Sequence, residues 1–442
     1  MSSDTSNDTS NDTSNGTTDV TATHDGRPSR FDRMKVEVVS GGTQAPEEVP
    51  KATLQTTLLG ALAWLALFVL LFISSPWQLV FVVGLLISVM LHELGHYWTA
   101  RKSGMKVTQY FIGFGPRLWS VTRDGVEYGV RAYPLGGFVK IIGMTNVDEV
   151  APEDEPYTYR QGTYARRMWV ITAGSAMHAI IALALVIGVY ATAGQLGQSG
   201  KVTINAITAG SPAQLAGMQA GDVLLSVDNT PVTKEADVAD ALTIGHTPGD
   251  QVELSILRDG QALTLQATLA QNTNAPEGVV KAFLGIQYSS VSLVPMSLGS
   301  AVVEGPKDLA VGIGQATVAI AKVINPVNVY GHLVGTNTDP ATRPGTIVGA
   351  TSVSSDVGHF DGWAGMLVFL ANINLVLGVI NMFPLLPLDG GHAAIATYER
   401  LRSRKGRRYY ADVNKLMPVA AVCLALLAFM FLTGLYLDIA KS

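Results

Sequence analysis

Long apolar blocks separated by short polar stretches dominate this chain. Four blocks, at 54–74, 77–99, 169–193 and 363–386, and a fifth at 416–437, are each long enough to cross a bilayer as a helix. Only Ser75-Pro76 separates the first two, which predicts a tight hairpin between them. Some fifty residues, most of them polar, precede the first block and FISSPW offers no small-residue cleavage site, so that block reads as a span and not as a signal peptide. Lys and Arg cluster before block one (Arg27, Arg30, Arg33, Lys35, Lys51), after block two (Arg101, Lys102, Lys106), before block three (Arg160, Arg166, Arg167) and between blocks four and five (Arg400 to Arg408). If five spans alternate, all four clusters fall on one side, which predicts a cytoplasmic N-terminus and an extracytoplasmic segment 192–362. The expectation is a multi-pass protein of the cell membrane, with the lipid bilayer as its constant partner.

Elsewhere the pattern changes from blocks to alternation. Between blocks two and three, RLWSVT and VEYGVRAY flank Arg123-Asp124-Gly125, and an Asp-Gly pair between alternating runs is a hairpin signal. Gly113-Phe114-Gly115-Pro116 precedes this hairpin and PLGGFVKIIGM follows it, so 107–144 reads as a membrane-associated β-element on the cytoplasmic side. Residues 201–270 alternate in short runs broken by turns. Their stretch GSPAQLAGMQAGDVLLSVDNTPV resembles the PDZ core of bacterial proteases, and VELSILRDGQALTLQATL adds a last hairpin around Asp259-Gly260. The resemblance implies a domain at 200–271 that binds a peptide or chain end by strand addition. Segment 291–361 is Gly-rich, with an amphipathic piece that three charges (Glu304, Lys307, Asp308) immediately precede, and reads as an extracytoplasmic surface linker. The SNDT tract at the start makes 1–50 a disordered cytoplasmic tail.

Composition narrows the class. Hydrophobic residues are 48% of the chain and charged residues 15%, too apolar for an ordinary soluble protein. A net charge of −5, spread along the chain, gives no reason to expect a nucleic-acid partner. The single cysteine, Cys423, lies in an apolar run, which excludes an intramolecular disulfide and a thiolate zinc cage.

The candidate chemistry sits where charge is least at home. Block two ends in His92-Glu93-Leu94-Gly95-His96. On a helix the two histidines share one face, one turn apart, and can share a metal, while Glu93 beside them can act as a base toward water held there. Ionisable groups at the end of a span are costly unless they have a function. Two histidines leave a catalytic zinc ion one protein ligand short. Block four runs into Asn381-Met-Phe-Pro384-Leu-Leu-Pro387-Leu-Asp389-Gly390-Gly391-His392. The prolines break the helix, the glycines permit close approach of another helix, and alternating topology puts Asp389 on the membrane side of His92 and His96.

HELGH with a distant LDGG on another span, together with GFGP, PLGGF and the PDZ-like stretch, resembles the site-2 protease family of intramembrane zinc metalloproteases. The likeness runs from block two to the C-terminus and is strongest to the bacterial branch that cuts membrane-bound anti-sigma factors. The resemblance implies Zn²⁺ on His92, His96 and Asp389, with Glu93 as the base. It also implies substrate-binding roles for Asn381 and for Gly113, Phe114 and Gly115, and single-span membrane proteins such as anti-sigma factors as substrates. It departs at Gly174-Ser175-Ala176-Met177-His178, where the family often shows GPxxN, so no substrate role is carried onto that segment. Block one is extra to the family core.

The fold class expected is therefore a polytopic α-helical membrane protein of about five spans. Its parts are two helices at 54–103, the β-element at 107–144, a helix at 168–194, the PDZ-like domain, the linker, a helix at 362–392 ending in LDGG, and a last helix at 416–438. A PDZ-containing receptor or scaffold with a silent protease core is the competing class and predicts an eroded ligand or base; all four residues are intact. A transporter would favour inverted repeats among the blocks, and none is evident.

Overall fold

In a computed structural model of the protein, residues 54–144, 148–271, 282–403, 407–411 and 413–440 are described. The expected disordered tail 1–50 lies outside them. The chain begins with α1 (Leu54–Ser74) and α2 (Pro76–Lys102), passes through β1 (Val107–Arg123) and β2 (Val126–Ile141), and continues in α3 (Tyr164–Thr192). A β-rich segment follows: β3 (Gln195–Ile207), α4 (Pro212–Leu215), β4 (Val223–Val227), β5 (Thr230–Pro231), α5 (Glu235–Thr243), β6 (Gln251–Arg258), β7 (Gln261–Thr268), β8 (Ala270–Gln271), β9 (Ala282–Phe283) and β10 (Ile286–Val294). The remainder is helical: α6 (Leu298–Ile324), α7 (Pro326–Val334), α8 (Ile347–Asn381), α9 (Asp389–Arg402) and α10 (Val413–Ala440).

Among the described residues five helices, α1, α2, α3, α8 and α10, are long and apolar enough to cross a membrane. A bent pair, α6 with α7 at 62°, would make a sixth if it is one span. The expected linker 291–361 is thus mostly helix. Its amphipathic run carries on through α6, and α8 starts at Ile347, well before the apolar block, bending at Gly362 (φ 60°, ψ −147°). Only glycine takes that backbone conformation readily.

The chain divides into two compact units. One holds the described residues up to Trp64 and those within Glu93–Ala173 and Met382–Phe429. In it β1 and β2 are long, bent antiparallel strands joined by Asp124-Gly125, both at positive φ, the two-residue turn that the Asp-Gly pair favours. The register shows the bend: Gln109 faces both Lys140 and Glu127, and Phe111 both Phe138 and Gly129. Segment 109–112 is therefore flanked on both sides, and 137–140 lies on an outer edge of the β-element. Val107, Val126, Val139 and Ile141 pack with Ala100 at the end of α2, Val170 and Ile171 in α3, and Ala393 in α9. One small core thus fixes the β-element, the end of α2 and the start of α9.

The other unit holds Leu65–His92, Gly174–Asn381 and Met430–Ser442. Its sheet has the order β10-β3-β4-β6-β7, with β5 on β4. Val202, Ile204, Leu224, Leu254 and Ile256 are fully or almost fully buried between that sheet and α4 and α5. The domain is wider than 200–271. It starts at Gln195, and its outer strand β10 comes from residues beyond the last hairpin, pairing Gln195 with Val294. Helices α2 and α8 pack through Phe81, Leu85, Met366 and Leu370, and Trp77 meets Trp363 edge-on at 4.9 Å. At the C-terminus Asp438 accepts from the backbone N–H groups of Thr346 and Gly349 at the start of α8 and pairs with Arg343 at 3.1 Å.

Candidate metal centre

Helix α2 places His92, Glu93 and His96. It is continuous across the point between His92 and Glu93 where the compact units divide, so the spacing of these side chains is set by helix geometry. Both histidines are buried. His96 Nδ1 lies 2.7 Å from the carbonyl oxygen of Val170 in α3. A carbonyl only accepts, so Nδ1 carries the hydrogen and Nε2 presents its lone pair. That Nε2 is 3.3 Å from Asp389 Oδ2. With Nε2 unprotonated, an imidazole lone pair and a carboxylate oxygen at this separation are two acceptors face to face, and a cation between them, a proton or a metal ion, makes the arrangement favourable.

Asp389 reaches this position because α8 ends at Asn381 and the chain turns through 382–388 before α9 begins at Asp389. The two glycines that follow serve this turn and not the approach of another helix. A Cβ on Gly390 would sit 2.2 Å from the Phe383 carbonyl oxygen, and one on Gly391 would sit 2.8 Å from the Leu385 carbonyl carbon. The turn folds so closely over the first residues of its own helix that only glycine fits.

His92, His96 and Asp389 each offer a ligand atom, and the three atoms lie within 4.8 Å of one another. Two buried imidazoles and one half-buried carboxylate, convergent, are the donor set of a mononuclear zinc site that keeps one position open. The residues present fit zinc. Glu93 is outside the set. Its Oε2 accepts a 3.0 Å hydrogen bond from the backbone N–H of Val139 in β2. That N–H points away from the partner strand, so the bond joins the glutamate to the outer edge of the β-element.

Of the other expected residues, Gly113, Phe114 and Gly115 form the bend of β1. Gly113 and Gly115 have φ of +82° and +80°, and a Cβ on either would collide with Tyr133. Phe114 stacks on Phe138 with centroids 5.8 Å apart. These contacts are within the β-element, and it is Val139, two residues beyond the PLGG stretch, that touches Glu93. Asn381 is the half-buried last residue of α8. Val139 and Val170 act through backbone atoms, which side-chain identity does not reveal. His178, left open by the sequence, is buried with its ring 4.8 Å from that of His92.

The sequence matches peptidase family M50 over residues 80–427, which spans every element of this centre. The chain belongs to peptidase family M50. Among relatives of this M50 peptidase is a zinc metalloprotease Rip1 of Mycolicibacterium smegmatis, 36% identical over 390 residues, covering 80% of this chain and 95% of that protein. The zinc metalloprotease Rip1 of Mycobacterium tuberculosis is 37% identical over 395 residues, with the same coverage. The regulator of sigma E protease of Salmonella typhi is 26% identical over 454 residues, covering 80% of this chain and 98% of that protein. Membership of this family, also called the site-2 proteases, agrees with the resemblance carried by HELGH and LDGG.

Proposed function

We propose that this M50 peptidase is an intramembrane zinc metalloprotease that hydrolyses peptide bonds in or near the membrane-spanning segment of single-span proteins, anti-sigma factors among them. The observation that carries the reading is the convergence of His92, His96 and Asp389 with Glu93 alongside, on a helix apolar enough to span a bilayer. The relatives' names support zinc, proteolysis and a link to sigma regulation.

A zinc ion on these three ligands would polarise the scissile carbonyl and lower the pKa of water toward ~7. The residues of the chain do the rest. Val170 holds His96 in the tautomer that directs Nε2 inward. Val139 holds one oxygen of Glu93, leaving the other to take the proton from the attacking water and return it to the leaving amine. A helical substrate shields its carbonyls by hydrogen bonding, so it must be extended before it is cut. The outer edge at 137–139 offers a template: the two-residue period of a strand gives Gly137 the same outward side as Val139. The bend at Gly113, Phe114 and Gly115 sets the course of that edge, and Asn381, at the end of α8, contributes to substrate handling. In this reading the N-terminus is cytoplasmic, and the sheet domain is an extracytoplasmic PDZ-like module that takes a peptide or chain end and limits access of substrates with bulky outer domains.

Purified protein incubated with a candidate single-span substrate, with and without a zinc chelator, tests the reaction. Cleavage that persists unchanged after the metal is removed refutes it. Reporters fused after Gln198 and after Arg408 test the topology, with outside and inside expected respectively.

A further inference from the structure

His178 is buried in α3, and the mechanism above gives it no role. Its surroundings specify its state. Asn374 of α8 donates from Nδ2 to the Leu370 carbonyl at 2.8 Å and to Ser88 Oγ at 3.1 Å. Ser88 in turn donates to the Gly84 carbonyl at 2.9 Å. With both donors of the amide committed, Asn374 Oδ1 is the atom facing His178 Nδ1, at 2.9 Å. An amide oxygen accepts, so the hydrogen is on Nδ1 of His178. A chain of hydrogen bonds thus runs from a backbone carbonyl of α2, through Ser88 and Asn374, to the imidazole.

All three side chains are inaccessible to solvent or nearly so: His178 is 2% exposed, Asn374 0% and Ser88 4%. Helices α3 and α8 come close enough for the bond because Gly378, one turn past Asn374 on the same face, leaves room. A Cβ there would lie 3.1 Å from His178 Cβ and 3.3 Å from the Ser175 carbonyl. The network also returns to the metal centre. Ser88 and His92 are one turn apart on one face of α2, and the His178 ring packs on the His92 ring at 4.8 Å and 41°. The same face of α2 is gripped twice, by a hydrogen bond at Ser88 and by ring packing at His92.

We infer that His178, oriented by Asn374 and Ser88, is a positioning residue that holds the His92 imidazole at its ligating angle. The inference rests on the metal reading above and adds to it. Ring orientation matters because a ligand whose lone pair is turned away must be rotated back when metal binds, and loss of groups that orient zinc ligands typically costs about 10–100-fold in affinity. The network lies in an apolar span, where a buried amide finds few substitute partners.

The test uses the full-length protein with His178→Phe, which keeps an aromatic ring and removes the hydrogen bond, and Asn374→Leu, which removes the orienting amide. Zinc affinity is measured by competition with a chromophoric chelator, and the site geometry by the visible spectrum of the cobalt(II)-substituted protein. Zinc binding about tenfold or more weaker and displaced cobalt bands are expected for both variants. Wild-type affinity with a wild-type cobalt spectrum in either folded variant overturns the inference. Should either fail to fold, Ser88→Ala, a mild change on a helix, is read the same way, with a smaller shift expected and an unchanged spectrum counting against. A wild-type protein that binds no zinc would instead overturn the metal reading itself, so the two failures are distinguishable.

Discussion

Glu93 has one observed contact and one proposed role, and replacing it two ways separates them. One carboxylate oxygen accepts from Val139 N–H at 3.0 Å, and the other is the proposed proton acceptor. Glu93→Gln keeps the side-chain shape and one oxygen, so the amide oxygen can still receive Val139 N–H while basicity is lost. Positioned general bases contribute roughly 10²–10⁴-fold, so turnover should fall by that factor, about 3–5 kcal/mol of barrier. Zinc content should stay at one per chain, because Glu93 lies outside the ligand set. Glu93→Ala should lose the same activity and also leave a buried backbone donor without its acceptor, since Val139 is only 2% exposed. That costs about 1–3 kcal/mol, loosens the edge strand, and should appear as faster hydrogen exchange over 137–141 in the alanine variant alone. The assay is cleavage of a purified single-span substrate in detergent, with zinc quantified by mass spectrometry. A glutamine variant with normal zinc and undiminished cleavage refutes the base assignment. Equal hydrogen exchange in both variants refutes the anchoring role.

His92→Ala, His96→Ala and Asp389→Ala should each lower bound zinc measurably, whereas His392→Ala should not, since His392 is not among the three convergent donors; metal content after dialysis decides. Because Gln195 and Val294 face each other across the first and last strands of the sheet, replacing 196–293 with a short turn should leave zinc binding and cleavage of a pre-trimmed substrate intact. Loss of that cleavage in a zinc-loaded variant would mean that the domain delivers substrate. Asp222 is buried, accepts from Arg258 Nε and Nη2 at 2.7 Å, and is held below the usual carboxylate range by that guanidinium. A depressed folded-state pKa stabilises the domain fully above the unfolded value of about 3.9 and progressively less as pH falls through the folded value. Hydrogen exchange of β4 and β6, corrected for intrinsic rates, should therefore show wild-type protection constant from pH 7 to 5 and falling below about pH 4. Asp222→Asn should be less protected above about pH 5, by roughly 1.5–3 kcal/mol, with the gap closing on the acid side as the wild-type protein loses its share; an unchanged acid-side loss in the variant would refute the Asp222 origin.

Much of this protein is written in local pattern. An apolar run of span length becomes a helix in any apolar surrounding, because its backbone must satisfy itself. Thus α1, α2, α3 and α10 were legible within a few residues, whereas α8 runs Ile347–Asn381 where 362–392 was expected, and LDGG opens a separate helix and does not end that one. The Asp-Gly turns were legible because few other pairs take positive φ at both positions. HELGH puts two imidazoles on one face by the helical period alone. What the sequence could not show are the pairings between distant segments. Val139 reaches Glu93 and Val170 reaches His96 through backbone atoms that every residue carries. Strand β10 joins β3 across a whole domain because the edge needed a partner, a fact invisible in the alternation of either strand. The helices α6 and α7 replace an expected linker because an amphipathic face with Glu304, Lys307 and Asp308 in it is decided by what it packs against and not by the pattern alone. His178 was an isolated histidine in sequence and is one end of a hydrogen-bond chain in the fold, joined to Asn374 and Ser88 at separations of 196 and, from Asn374 to Ser88, 286 residues. Local propensity selects the elements, but only their packing decides which buried donor meets which acceptor, because that match is made across the chain and not along it.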